Sequence, residues 1–314
     1  MKQALDISQF KHPLVRELAW VVGSAPLMLD HGYKDVYQTL DQAWFDEVFL
    51  EGQDWFDTLE KNAEQLESVY EEFRNDLLGK RFEQWWNFFF EQNPRFEILL
   101  SNEQLRGQKS TLGEIDLVIQ DQLRGEVYHL ELACKFYLSA GNSPLWKYWI
   151  GPGGKDVLEH KMNKLVKQLK ITDHPLAQEL LQQRHIQRPK PILLMKGGFF
   201  HHLPDIPRVK TPKYATHNYP SGWWVFMKEL RLILANRGRW RVLQKDSWLC
   251  PQRTADETKL LNSHQLEEYL KDHFSRGKRP IVVAQLLPQD DGYEEIGRGF
   301  VLPDNGLFTS HFRS

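Results

Sequence analysis

The sequence predicts an α/β fold with the core order helix, three strands, helix, strand, and three observations carry that expectation. Apolar residues recur at helical spacing up to Asn93 and Pro94, and then alternate with polar residues from Phe96 to Leu138. Two of the alternating runs are separated only by a short turn at Arg124 and Gly125, which predicts an antiparallel hairpin. A Gly/Pro loop then leads back to a helical stripe and one further apolar run, so the core spans residues 79–200.

The elements follow in order. HPLVRELAWVVGSAPLML carries Leu14, Leu18, Val21 and Val22 on one helical stripe and stops near Ser24 to Pro26. From Leu40 to Leu78 a second helical stretch sets Trp44, Phe45, Val48, Phe49, Trp55 and Leu59 among acids, with Gly52 as a possible interruption. GKRFEQWWNFFFEQNP places Phe82, Trp85, Trp86, Phe89 and Phe90 on one stripe and ends at Asn93 and Pro94. RFEILLSNEQLR, GEIDLVIQD and EVYHLELACKFYL are the three strands. DVLEHKMNKLVKQLKI is a helix with Leu158, Met162, Leu165 and Leu169 facing inward, and PKPILLMKGGFF supplies a strand at Ile192 to Met195. Residues 1–78 therefore read as an N-terminal helical segment with an acidic arm, and residues 201–314 as a mixed α+β extension. In that extension Trp223 to Asn236 mixes strand and helix, two strand-like runs follow, and Leu261 to Phe274 looks helical.

The chain has 314 residues, a net charge of −2 and two widely spaced cysteines, Cys134 and Cys250. The cysteines fit no metal-ligand spacing and no disulfide framework, and no stretch of ~18 apolar residues is present, so a cytoplasmic protein without a membrane span is expected. Charge is uneven. Residues 30–78 hold 14 Asp and Glu against 3 Lys and Arg, whereas residues 79–250 hold 26 Lys and Arg against 16 Asp and Glu. The basic middle suits a polyanion such as DNA or RNA, and the acidic arm suits a basic protein partner or intramolecular neutralisation. Oligomeric state has no signature in the sequence.

Alternation sorts the strand faces. Glu114, Asp116 and Val118 share one side of their strand, with Gly113, Ile115 and Leu117 on the other; His129, Glu131, Ala133 and Lys135 share one side of the next. In a hairpin these polar sides can meet. Adjacent carboxylates repel and raise one another's pKa unless a cation intervenes. Mg²⁺ (or Mn²⁺) binds oxygen ligands and often needs only one or two carboxylates, and a neighbouring lysine can stabilise charge on a phosphate, so the face suits metal-assisted phosphodiester hydrolysis. The bland alternative is a solvated sheet face.

GKRFEQWW, TLGEIDLV, HLELACKFYL and WIGPGGKD resemble a bacterial domain-of-unknown-function family assigned to the PD-(D/E)XK nuclease-like superfamily. The narrow resemblance covers most of the chain, and the superfamily resemblance covers about residues 79–200. It implies a restriction-endonuclease-like core in which Asp116 and Glu131 are metal ligands, Glu83 on the preceding helix is an additional acid, and a lysine completes the catalytic set. The superfamily pattern puts one residue between acid and lysine. Here Ala133 occupies that place, and Lys135 lies two residues, about 6.6 Å, further along a regular strand. The implied function is a metal-dependent nuclease acting on DNA or RNA. The alternative is a catalytically degenerate nucleic-acid-binding or protein-interaction protein on the same fold.

Other motifs are weaker. WIGPGGKD lacks the spacing of a phosphate-binding loop for ATP, but it precedes a helix, so Lys155 is a candidate for a nucleic-acid phosphate. Lys161, Lys164 and Gln168 form one flank of the following helix and are candidates to track the backbone, against the ordinary reading of a solvated helix face. His129 is expected to be packed, and the paired His201 and His202 fit a turn better than a metal site.

Overall fold

The computed structural model describes residues 7–29, 36–107, 111–235, 238–277 and 279–305. The first six residues of the acidic arm, 30–35, lie outside the described residues, as do the two ends of the chain. The described helices are α1 (Pro13–Gly23), α2 (Gln42–Glu51), α3 (Gln53–Lys61), α4 (Glu64–Phe73), α5 (Leu78–Gln92), α6 (Leu158–Leu169), α7 (Pro175–Gln183), α8 (Arg231–Leu234) and α9 (Ser263–Ser275). The strands are β1 (Phe96–Arg106), β2 (Thr111–Asp121), β3 (Glu126–Ser139), β4 (Trp149–Ile150), β5 (Lys190–His202), β6 (Ser221–Phe226), β7 (Arg239–Leu243), β8 (Arg253–Thr254), β9 (Ile281–Gln289) and β10 (Gly292–Leu302). The fold is mixed α/β. One large sheet has the order β1-β2-β3-β5-β6-β10-β9-β7, with β4 pairing with β3 and β8 with β10.

The hairpin expected around Gly125 is present: β2 and β3 are antiparallel, and Gly125 adopts φ 64° in the turn. β3, β5, β6 and β10 run parallel to one another. The predicted sequence helix, three strands, helix, strand therefore exists as α5, β1, β2, β3, α6 and β5, with the short β4 and α7 inserted. The long helical stretch expected from Leu40 to Leu78 is three helices. Gly52 closes the first, and extended Asn62 breaks the second from the third while its side chain accepts the N–H of Glu64. The strand expected at Ile192 to Met195 extends to 13 residues, because β3 and β6 pair with it on both sides.

Two helical layers sandwich the middle of the sheet. On one face Phe82, Trp85, Trp86 and Phe89 of α5 pack with Leu117, Leu130, Leu132 and Cys134, and α1 to α4 extend that core. On the other, Leu158, Met162, Leu165 and Leu169 of α6 pack with Ala133, Leu193 and Met195. Thus the faces of β3 sort as the alternation predicts. In β2 they do not throughout: Ile115 packs with Val118, Ala177 and Leu181, while Leu117 packs with α5. The ladder to β3 ends at Leu117↔Leu130, and beyond it β1 alone continues as a ladder partner of β2.

Buried ions tie the helices to the sheet. Glu17 of α1 accepts from Arg81 Nη2 at 2.6 Å and from Trp85 Nε1 at 2.7 Å, fixing the start of α5. Lys196 of β5 is fully buried, donates to the Val22 carbonyl at 2.9 Å near the end of α1, and lies 4.1 Å from the Phe45 ring centroid. Burial holds its pKa well below the ordinary 10.5. The unfolded chain then binds a proton that the folded chain binds less well, so folding weakens as pH falls from about 10.5 through the folded-state pKa. Lys196→Met is expected to flatten the pH dependence of stability on the alkaline side, measured by denaturant melts at several pH values; an unchanged slope counts against a depressed pKa.

A close approach fixes β5 against β3 beside the site. Gly197 has φ 131°, and a Cβ there would stand 1.8 Å from the Lys135 carbonyl oxygen. Gly197→Ala is expected to destabilise the fold by about 4 kcal/mol or more in equilibrium unfolding, since both the backbone angle and the space refuse a side chain.

Candidate active site

The site is built where β2 and β3 part. Continuing the register one step past Leu117↔Leu130 sets Asp116 opposite Glu131. There the ladder is replaced by a side chain: Asp116 Oδ2 accepts the Leu132 backbone N–H at 3.1 Å. This bond satisfies β3 where β2 leaves it, and it fixes the Asp116 carboxylate beside Glu131.

Glu131 is 1% exposed, and its Oε2 has no hydrogen-bond partner among the described residues. Burial, and then the nearby Asp116, push its carboxyl pKa up to about 9. Asp116 is raised to about 6, by burial first and then by Glu83 and Glu114, against the lowering effect of the Leu132 N–H. The four acids that sequence and resemblance bring forward therefore lie in one electrostatic environment, Glu83 and Glu114 acting on Asp116, and Asp116 and Glu83 on Glu131. The arrangement is one that a cation or a proton must stabilise.

The predicted cations divide. Lys161, at the first turn of α6, is the cation that lowers the pKa of both Asp116 and Glu131, and Lys164 acts on Glu131 as well. Lys161 is half-buried, and its own pKa is lowered, by burial first and then by Lys135. Lys135 instead makes an ion pair with Asp156, Nζ to Oδ2 at 2.8 Å. Asp156 is placed by the WIGPGGKD loop, which closes on itself through Gly151 N–H donating to the Asp156 carbonyl at 2.7 Å. Lys155 and Lys164 are exposed and Gln168 is half-buried. His129 is fully buried, and burial lowers its pKa to about 4, so it is a neutral packed histidine.

Beside this pair opens a cleft of about 610 Å³, whose lining takes in Glu83 but neither Asp116 nor Glu131. Its floor includes Leu132 to Phe136 of β3, and its walls come from the α4–α5 turn, from Gly151 to Gly153, and from the C-terminal Lys245, Trp248 and Arg279. Glu83, Lys135, Asp156 and Lys161 all line it.

The residues fit a divalent ion in a limited way. Among the described residues no three His, Cys, Asp or Glu side chains form a metal-holding group. The orphaned Glu131 oxygen and the paired carboxylates nonetheless suit Mg²⁺, which needs few protein ligands and keeps water in the rest of its shell.

Asp156 and the special place of Lys161 are what sequence reasoning missed. Helical spacing put Lys161 on a flank with Lys164 and Gln168, but only the packing of α6 over Ala133 turns it towards Glu131. Among the described residues no helix is long and apolar enough to cross a membrane. No curated protein and no solved structure matches the chain. Residues 16–302 match the family described as a domain of unknown function, DUF1853, and with that match covering most of its length the chain belongs to this family.

Proposed function

We propose that the protein is a metal-dependent nuclease that hydrolyses phosphodiester bonds in DNA or RNA on a PD-(D/E)XK-like core. The observation that carries this reading is the pair Asp116 and Glu131, converging from neighbouring strands where their ladder parts, with one buried carboxylate oxygen left without a partner. The element order α5, β1, β2, β3, α6, β5 and the strand order β1-β2-β3-β5 support it.

Asp116 and Glu131 would hold Mg²⁺ (or Mn²⁺), which when bound supplies an activated water and offsets charge at the phosphate. The rest follows from the protein's own groups. Lys161 acts with its positive charge on both carboxylates and also lines the cleft, where it would meet a phosphate. Glu83 adds negative charge next to Asp116 and is steadied by Lys80 at 3.1 Å. Lys135, held by Asp156, sets the charge around Lys161. Lys155 and Lys164 are exposed cations that a nucleic-acid backbone would meet outside the cleft, with Gln168 one turn after Lys164 on α6.

A second reading is a relative that binds nucleic acid without cutting it. Ala133 at the usual lysine position and the tying of Lys135 to Asp156 favour it. The acidic arm carries less of the argument for a protein partner, since Glu47 and Glu51 are already paired with Arg95, and Glu47 also with Arg124. The test is cleavage of labelled DNA and RNA with Mg²⁺ or Mn²⁺, wild type against the doubly substituted Asp116→Ala, Glu131→Ala. Metal-dependent cutting lost in the double variant supports the nuclease. Salt-sensitive binding without any cutting supports the second reading.

A further inference from the structure

We propose that the cleft takes nucleic acid as a single strand or a freed strand end, and that an intact duplex cannot bring a phosphate to its floor. The proposal rests on the nuclease reading for the place of the reacting phosphate, and on the cleft itself for everything else.

Depth is the first argument. Glu131 is 1% exposed and Asp116 half-buried, and neither lines the cleft, whose stretch of β3 begins at the next residue, Leu132. Three separate stretches of chain wall the opening: the α4–α5 turn on one side, the Gly151–Gly153 loop on another, and the segments around Trp248 and Arg279 on the third. About 610 Å³ is the scale of a small-molecule site. A B-form duplex is a far wider object, its major groove alone being about 12 Å across. Its phosphates would rest on the rim. A strand that has left its partner is thin and flexible enough to enter.

Lining chemistry is the second argument. Arg74, Lys80, Lys135, Lys161, Lys245 and Arg279 bring positive charge to a channel that also holds the carboxylates of Asp76, Glu83, Asp156 and Asp246. That excess suits a backbone, while apolar groups stand where bases would lie. Leu77 lines the same cleft at the start of α5 and is 81% exposed, the highest exposure among the large exposed hydrophobic residues described. Solvent exposure of a leucine costs free energy that a base face would recover, and apolar side chains at strand-separating sites act against unstacked bases in this way. An edge of Trp248, packed on Phe136 with ring centroids 5.5 Å apart, gives the opposite wall a second apolar surface.

The experiment compares four labelled ligands on the full chain: single-stranded DNA, single-stranded RNA, a duplex with splayed ends, and a duplex of the same sequence closed by hairpins at both ends. Binding is read by fluorescence anisotropy without divalent metal, and cleavage with Mg²⁺ or Mn²⁺. At least one single strand and the splayed duplex are expected to bind at least about tenfold tighter than the closed duplex, and to be cut correspondingly faster. Leu77→Ala is expected to narrow that difference without unfolding the protein, since Leu77 is exposed. Equal binding of the closed duplex, or no binding of any ligand, overturns the proposal. Absence of cutting on every ligand defeats the nuclease reading alone, and the binding comparison then decides this one.

Discussion

Glu131→Gln is expected to lower metal-dependent cleavage by at least about 10³-fold while leaving the fold intact. Burial and the neighbouring Asp116 push the Glu131 carboxyl up to about 9, so in the metal-free protein at neutral pH it carries its proton, and a glutamine copies that neutral form closely. The melting temperature without metal should therefore stay near that of the wild type. Mg²⁺ should raise the wild-type melting temperature and leave that of Glu131→Gln unmoved, because a ligand stabilises only the folded state that binds it. The two readouts separate a ligand from a packing residue. A variant that cuts as fast as wild type, or one that still gains stability from Mg²⁺, sinks the assignment of Glu131.

The second large effect concerns which lysine matters. Lys161→Met is expected to reduce kcat by about 10²- to 10³-fold, the range found when one positioned electrostatic group is removed from a reacting phosphate or oxyanion. Lys135→Met is expected to cost less than about tenfold, because its ammonium is already bound to Asp156 at 2.8 Å. Steady-state rates on one labelled substrate, with circular dichroism to verify folding, check both. The reverse order of effects would restore Lys135 to the place that the superfamily pattern implies for it.

The fold draws these residues together from distant parts of the chain, and legibility in the sequence differed accordingly. The stripes of α5 and α6 were plain, since Phe82, Trp85, Trp86 and Phe89, and Leu158, Met162, Leu165 and Leu169, repeat at helical spacing and bury on one side. β10 was not. Gly292, Gly297 and Gly299 give it a turn-like signal together with Glu294 and Glu295, and only Phe300, Val301 and Leu302 look like sheet, yet it lies between β6 and β9. α7 was also missed: nine residues after a proline carry too few apolar positions to show a period. In β2 the alternation rule held from Leu117 onward and failed at Ile115, where the partner strand that keeps a strand flat is lost.

The amino-acid sequence by itself determined the hairpin, the two faces of β3 and the candidacy of Asp116 and Glu131, because side-chain alternation in a strand is a local property of the backbone. Tertiary structure decided the rest. Whether two strands stay paired, where a loop ends and how a helix is rotated over a sheet depend on contacts between residues far apart in the chain. Those contacts tie Lys135 to Asp156, turn Lys161 towards the carboxylates and set Leu77 at the mouth of the cleft. The two-residue displacement of a lysine along β3 looked like a defect in a linear pattern. In the folded chain a different lysine, 30 positions after Glu131, stands in the field of both acids.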